Sequence, residues 1–194
     1  MKLGEFELVP MLDGIFYLDG GAMFGIVPKV MWHKLNPADE MNRIELALNC
    51  LLIKTDKYNL LVDSGLGNKV KDRFIEIYKI SRPKMLLSSL KEFGLNQNDV
   101  DIVINTHLHF DHCGGNTVFN ENKRPIPTFP RAKYYIQQME WEDAVNPNER
   151  TKASYLPENF IPVSESGQLE LADGDYEIVP GINLILTGGH TRGH

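Results

Sequence analysis

The chain has 194 residues, enough for one domain with a hydrophobic core but too few for two typical domains. Hydrophobic residues make up 42% and charged residues 24%, a composition typical of globular proteins. The net charge of −6 and the lack of a basic cluster argue against nucleic acid or an anionic membrane as the main partner.

The sequence contains no stretch of about 18 consecutive apolar residues, so it predicts no transmembrane helix. The N-terminus alternates apolar and acidic residues, and it lacks the basic start and continuous apolar core of a signal peptide. We therefore expect a soluble, cytoplasmic protein.

Short strands alternate with helices along the chain. Residues 5–9 and 14–18 alternate apolar and polar side chains around Asp13-Gly14, which predicts a β-hairpin. Further strands are predicted at 44–53, 58–63, 100–105, 133–137, 160–163 and 168–171, with a second hairpin over 176–187. Helices are predicted at 68–80, 84–93 and 138–155. This alternation indicates an α/β layered fold.

Residues 20–40 form a long segment that is rich in glycine and proline yet carries large apolar side chains. Long ordered loops of this kind tend to be lids or binding loops. Met23, Phe24 and Trp32 are the candidate substrate contacts, with the alternative that they fill the core. His33, in the same loop, is a further candidate contact.

The most informative segment is residues 106–115 (THLHFDHCGG), which directly follows a predicted strand. Side chains two apart in an extended chain point the same way, so His107 and His109 can reach one cation. Once the chain turns towards a helix, Asp111 and His112 can face a second cation. Two imidazoles suit a borderline-soft ion such as zinc, and a carboxylate suits either a second zinc or a harder ion. The following glycine pair permits the crowded backbone.

A second histidine segment, residues 187–194 (TGGHTRGH), also follows an apolar strand. His190 would complete a three-histidine site with His107 and His109, leaving a fourth position for water. The alternative is that these are ordinary surface histidines. Five of the six histidines fall in these two short segments, which favours a metal site.

The combination of HxHxDH, an upstream strand ending in Asp63-Ser64-Gly65 and a downstream GHTxGH resembles the metallo-β-lactamase superfamily over residues 45–194. The resemblance implies an αββα sandwich, of which the chain supplies the first half and the start of the second. It also implies two divalent metal ions, with zinc as the expected metal. The implied roles are first-site ligands for His107, His109 and His190, second-site ligands for Asp111 and His112, and supporting positions behind the ligands for Asp63 and His194.

Within the superfamily, residues 18–25, 27–29, 105–112 and 187–190 are most similar to quorum-quenching N-acyl-homoserine lactonases. The implied reaction is hydrolysis of a lactone or ester by a metal-bound hydroxide, in which Asp111 orients the nucleophile or moves its proton. The implied partner is a small-molecule substrate with an apolar group. A phosphotriesterase or arylesterase on the same frame and an inactive metal-binding fragment remain alternatives.

The family pattern has two more ligands, a bridging aspartate and a last histidine, which normally lie beyond the position of His194. We therefore expect residues 1–194 to be a single domain that is incomplete at its C-terminus. As a fragment it is expected to be inactive or to exchange elements with a second copy, so a homodimer stays open.

Overall fold

The structure is a computed structural model that describes residues 1–194, and a seven-stranded sheet lies at its centre. The strands are β1 (Lys2–Leu3), β2 (Phe6–Asp19), β3 (Arg43–Lys54), β4 (Asn59–Val62), β5 (Ile102–Ile104), β6 (Thr117–Phe119), β7 (Pro125–Pro127), β8 (Lys133–Gln137), β9 (Leu169–Ala172), β10 (Tyr176–Val179) and β11 (Ile182–Leu184). The α-helices are α1 (Gly20–Phe24), α2 (Lys29–Trp32), α3 (Asp72–Ile77), α4 (Leu86–Glu92), α5 (Phe110–Cys113), α6 (Gln138–Val145) and α7 (Ile161–Glu165). The strand order of the central sheet is β1-β2-β3-β4-β5-β8-β9. Strands β6 and β7 pair with each other, as do β10 and β11. The predicted α/β fold is confirmed.

The central strands bury apolar side chains on both faces, because successive residues of a strand point to opposite sides. Leu52 and Leu61 belong to the largest core cluster, which α4 and α7 cover with Leu90 and Val163. The neighbouring residues Ile53 and Leu60 face the other side, where the hairpin of β10 and β11 packs. The sheet therefore has helices on one face and a β-hairpin on the other.

Strands β4, β5, β8 and β9 run parallel to one another. The carboxyl ends of parallel strands meet at one edge of a sheet, which is where α/β proteins place their sites. Asp63 follows β4, the histidine segment follows β5, and α6 follows β8 at this edge.

The helices of this structure are too short or too polar to span a membrane.

The predicted hairpin over residues 5–9 and 14–18 is wrong, because both segments belong to the single strand β2. Asp13 and Gly14 form a β-bulge, where two residues of β2 oppose one residue of β3. The Asp13 side chain is buried, and its carboxylate accepts hydrogen bonds from the amides of Leu66, Gly67 and Leu86. Asp13 therefore binds backbone amides of distant segments inside the protein and does not form a hairpin turn.

The predicted strand at 160–163 is also wrong, since the chain there forms α7. Pro162 lies in the first turn of this helix, where the missing N–H of proline has no cost. Phe160 and Val163 are both buried, and their separation of three residues places them on one face of a helix. The segment 20–40 contains the two short helices α1 and α2.

Candidate metal centre

The two histidine segments converge at the carboxyl edge of the sheet. We call residues 106–115 the histidine motif and residues 187–194 the histidine loop. His107 and His109 leave β5 in an extended conformation, and His190 approaches them from the far end of the chain. Each of these three residues offers a ring nitrogen, and the three atoms lie within 4.8 Å of one another. Nε2 of His190 lies 3.2 Å from Nδ1 of His109.

The surroundings of His107 fit a cation. Its side chain is buried, and Nε2 has no hydrogen-bond partner. The hydroxyl of Thr106 donates to Asp63 and lies 3.1 Å from Nδ1 of His107, so its oxygen can accept the Nδ1 proton. The lone pair of the imidazole is then on Nε2, among the neighbouring histidine rings. A buried lone pair without a donor is costly unless a ligand binds it.

The surroundings keep the imidazoles of His107 and His109 neutral. Burial and the neighbouring His190 lower the pKa of His109 to about 4. Burial and the adjacent His112 also lower the pKa of His107 strongly. Neutral imidazole is the form that coordinates a metal ion, so the low pKa values favour binding of a metal ion over binding of a proton.

Asp111 and His112 lie beside this triad in the first turn of α5. Nε2 of His112 is 3.5 Å from Oδ2 of Asp111, and its ring centroid is 4.0 Å from that of His107. Burial raises the pKa of Asp111. Burial opposes the charged form of His112, but the hydrogen bond and charge of Asp63 outweigh it and raise the pKa of His112.

Asp63 holds the histidine motif from behind. Its carboxylate accepts from the amide of Thr106 at 2.8 Å and from Nδ1 of His112 at 2.7 Å. The bond to Nδ1 leaves Nε2 of His112 facing Asp111. The turn after β4 also approaches the glycine pair closely, since a Cβ on Gly114 would collide with the carbonyl of Leu66.

Two further residues at the site were not predicted from the sequence. The ring of Tyr155 lies 5.1 Å from that of His109, and its hydroxyl donates to the buried carboxylate of Glu140. Glu140 also accepts from the amide of Leu108. No motif or periodicity singles out either residue, because their partners are distant in the sequence.

The remaining predicted residues lie at different distances from the triad. The ring of His194 is 5.4 Å from that of His107, and its Nδ1 is 3.1 Å from the hydroxyl of Thr187. His33 makes its hydrogen bond within its own loop, where its Nδ1 accepts from the amide of Ala38.

A cavity of about 710 Å³ opens next to His109 and His190. Ala22 of α1 lines it, but the predicted contacts Met23, Phe24 and Trp32 are not among its lining residues. Met23, the next residue after Ala22, is exposed. Trp32 is buried and stacks on Phe24 with ring centroids 4.8 Å apart. The other lining residues are mostly polar and include Asp143, Asn146, Asn148, Arg150, Thr151, Ser154, Tyr155 and Arg192.

Known proteins are similar to this chain in sequence. A family model described as the metallo-beta-lactamase superfamily matches residues 44–194. An N-acyl homoserine lactonase of Bacillus cereus is 32% identical over 163 residues, which is 79% of this chain and 58% of that protein. This chain therefore spans less than two thirds of the length of the curated lactonases that it matches.

Solved structures are similar over the whole chain. A probable metal-dependent hydrolase from Staphylococcus aureus superposes with a TM-score of 0.92 at 35% identity, covering 100% of this chain and 68% of that one. A dizinc quorum-quenching lactonase in complex with the product N-hexanoyl-L-homoserine superposes with a TM-score of 0.76 at 26% identity. It covers 100% of this chain and 67% of that one.

Proposed function

This chain belongs to the metallo-β-lactamase superfamily, and from that premise we propose that it is part of a metal-dependent hydrolase that opens the ring of N-acyl-homoserine lactones. The resemblance inferred from the sequence motifs is thereby confirmed at the level of the family. The lactonase relatives support the proposed substrate class.

The observation that carries the proposal is the cluster of three imidazoles in which the buried Nε2 of His107 lacks a partner. We propose that His107, His109 and His190 hold one cation and that Asp111 and His112 contribute to a second. Zinc is the expected metal for this set of nitrogen and oxygen donors. When bound, such ions would lower the pKa of a water molecule and polarise the substrate carbonyl.

The chain's own residues would do the remaining chemistry. Asp111, whose pKa is raised by burial, can orient the attacking water and carry its proton to the ring oxygen that leaves as the C–O bond breaks. Asp63 keeps His112 in the orientation that leaves Nε2 free. Tyr155 packs against His109 and limits the movement of that ring.

The cavity beside His109 and His190 would take the substrate. We propose that the loop of α1 and α2 covers the acyl group, because Ala22 of α1 lines the cavity and the following Met23 is exposed. Trp32 is buried and stacks on Phe24, so this pair would hold the loop in shape.

The test is hydrolysis of N-hexanoyl-L-homoserine lactone by the zinc-loaded product of the complete reading frame that encodes this chain, followed by mass spectrometry of the open-ring product. We expect turnover that disappears with a chelator and in His107→Ala. A phosphotriester and an aryl ester serve as competing substrates. Turnover of these alone would replace the lactonase assignment with another hydrolase, and zinc binding without any turnover would leave a metal-binding fragment.

A further inference from the structure

Glu140 is a fully buried carboxylate in the first turn of α6. Its Oε1 accepts from the amide of Leu108 at 2.8 Å and from the hydroxyl of Tyr155 at 3.1 Å. Its Oε2 has no partner within the chain. Burying a carboxylate that is only half satisfied is unfavourable, so packing alone does not account for a glutamate at this position.

The first contact fixes the peptide between two proposed ligands. Leu108 lies between His107 and His109, and its side chain is buried in a core cluster with Tyr155. Its amide is held by Glu140, so both the side chain and the backbone of this residue are anchored. The directions of the two flanking imidazoles depend on that anchored peptide.

The second contact restrains the ring of His109. The hydroxyl of Tyr155 is held by the same Oε1 atom, and the ring of Tyr155 lies against that of His109 at 5.1 Å between centroids. A movement of Glu140 would therefore be transmitted to His109 along two routes, through the backbone and through the aromatic ring.

The third contact reaches the histidine loop. A Cβ on Gly193 would lie 2.6 Å from Cα of Glu140, which means that the loop backbone rests directly on the first turn of α6. His190 lies three residues before this contact. The segment that supplies the third imidazole thus rests on the α6 backbone at Glu140, while the carboxylate of the same residue holds the other two.

We propose that Glu140 is a positioning residue that sets the mutual geometry of His107, His109 and His190. The inference rests on the metal site of the proposed function. It assigns to the carboxylate of one buried glutamate the task of holding His107 and His109 in place beside the turn of α6 on which the histidine loop rests.

The test compares Glu140→Ala and Glu140→Gln with the unmodified 194-residue chain. Zinc affinity is measured by competition with a chromophoric chelator, and ligand geometry by the visible absorption of the Co²⁺-loaded chain. We expect Glu140→Ala to weaken zinc binding by about 10-fold or more and to change the cobalt spectrum. Glu140→Gln keeps a carbonyl oxygen for Leu108 and is expected to recover most of both properties.

Glu165→Gln is the matched control, because Glu165 is exposed at the end of α7. Folding of each variant is checked by thermal unfolding without metal. A folded Glu140→Ala that keeps the zinc affinity and cobalt spectrum of the unmodified chain overturns the inference. If Glu140→Ala does not fold, Tyr155→Phe decides: zinc affinity reduced several-fold supports the inference, and unchanged binding overturns it.

Failure of the proposed metal site gives a different result. In that case the unmodified chain itself binds neither zinc nor cobalt at the histidines, and His107→Ala changes nothing. Binding by the unmodified chain that is lost in His107→Ala but not in Glu140→Ala refutes only the role of Glu140.

Discussion

Asp63 links the two proposed cation positions through hydrogen bonds. Its carboxylate accepts Nδ1–H of His112 directly, and it accepts the hydroxyl proton of Thr106, whose oxygen is then free for Nδ1 of His107. One side chain therefore selects the ring nitrogen that two imidazoles present to the site. Asp63 adopts a left-handed backbone conformation with φ of 57°, which is uncommon outside glycine and asparagine.

Asp63→Asn replaces one carboxylate oxygen with a donor while keeping the size of the side chain. The carboxylate accepts from the amide and hydroxyl of Thr106 and from His112, and an amide with one accepting oxygen cannot keep all three hydrogen bonds. The support that orients the two imidazoles is therefore weakened. We expect zinc affinity to fall by about 10- to 100-fold, measured by chelator competition. Asp56→Asn, in the exposed turn after β3, is the control and should bind zinc like the unmodified chain. Equal affinity in both variants would contradict this role of Asp63.

At the scale of elements, α6 holds the histidine loop in place. Gly188 and Gly189 have φ values of 63° and 95°, so the backbone before His190 has little intrinsic stiffness. Arg192 connects the loop to α6 by ion pairs with Asp143 at 2.8 Å and Glu142 at 3.3 Å. These groups are exposed, and salt therefore screens their attraction.

Arg192→Ala should loosen the histidine loop without unfolding the protein. We expect faster hydrogen–deuterium exchange of the amides in residues 187–194, measured by mass spectrometry, and little change in the thermal unfolding temperature. High salt should produce part of the same effect in the unmodified chain. Arg131→Ala removes an exposed arginine without an ion pair and should leave the exchange of this loop unchanged. Identical exchange in Arg192→Ala and the unmodified chain would show that the ion pairs of Arg192 do not hold the loop.

At the scale of the whole molecule, the proposed site connects two separate parts of the fold. His107 and His109 are continuous with the central sheet, whereas His190 follows the hairpin that packs on one face of that sheet. A cation bound by all three would cross-link segments separated by 81 residues between His109 and His190. Binding to the folded state alone stabilises it by mass action.

Zinc should accordingly raise the unfolding temperature of the chain. At a free zinc concentration of about 100 times Kd, linkage gives a stabilisation of about 2.7 kcal/mol. Calorimetry with and without zinc measures the shift, and a chelator should reverse it. His190→Ala should lose most of the shift and His33→Ala should keep it, because His33 bonds only within its own loop. An unfolding temperature that does not respond to saturating zinc would count against the site.

Local patterns in the sequence predicted most of the strands and the chemistry of the histidine motif. The strand at 133–137 and the hairpin over 176–187 are present because alternating apolar residues and a Pro180-Gly181 turn act over a few residues. The pairing of His107 with His109 follows from the two-residue repeat of an extended chain. For the same reason, the family could be recognised from motifs alone.

Contacts between distant segments decided the rest, and a single sequence does not contain their geometry. Asp13 resembles a turn residue until the amides of Leu66, Gly67 and Leu86 surround it. Glu140 acquires its role from Leu108, 32 residues away, and from Tyr155, 15 residues away. The sequence by itself determined which side chains can bind a cation, because that depends on residue type and short-range spacing. Only the tertiary structure decided how they are held, because a buried carboxylate takes its partners from whichever segments the fold packs against it.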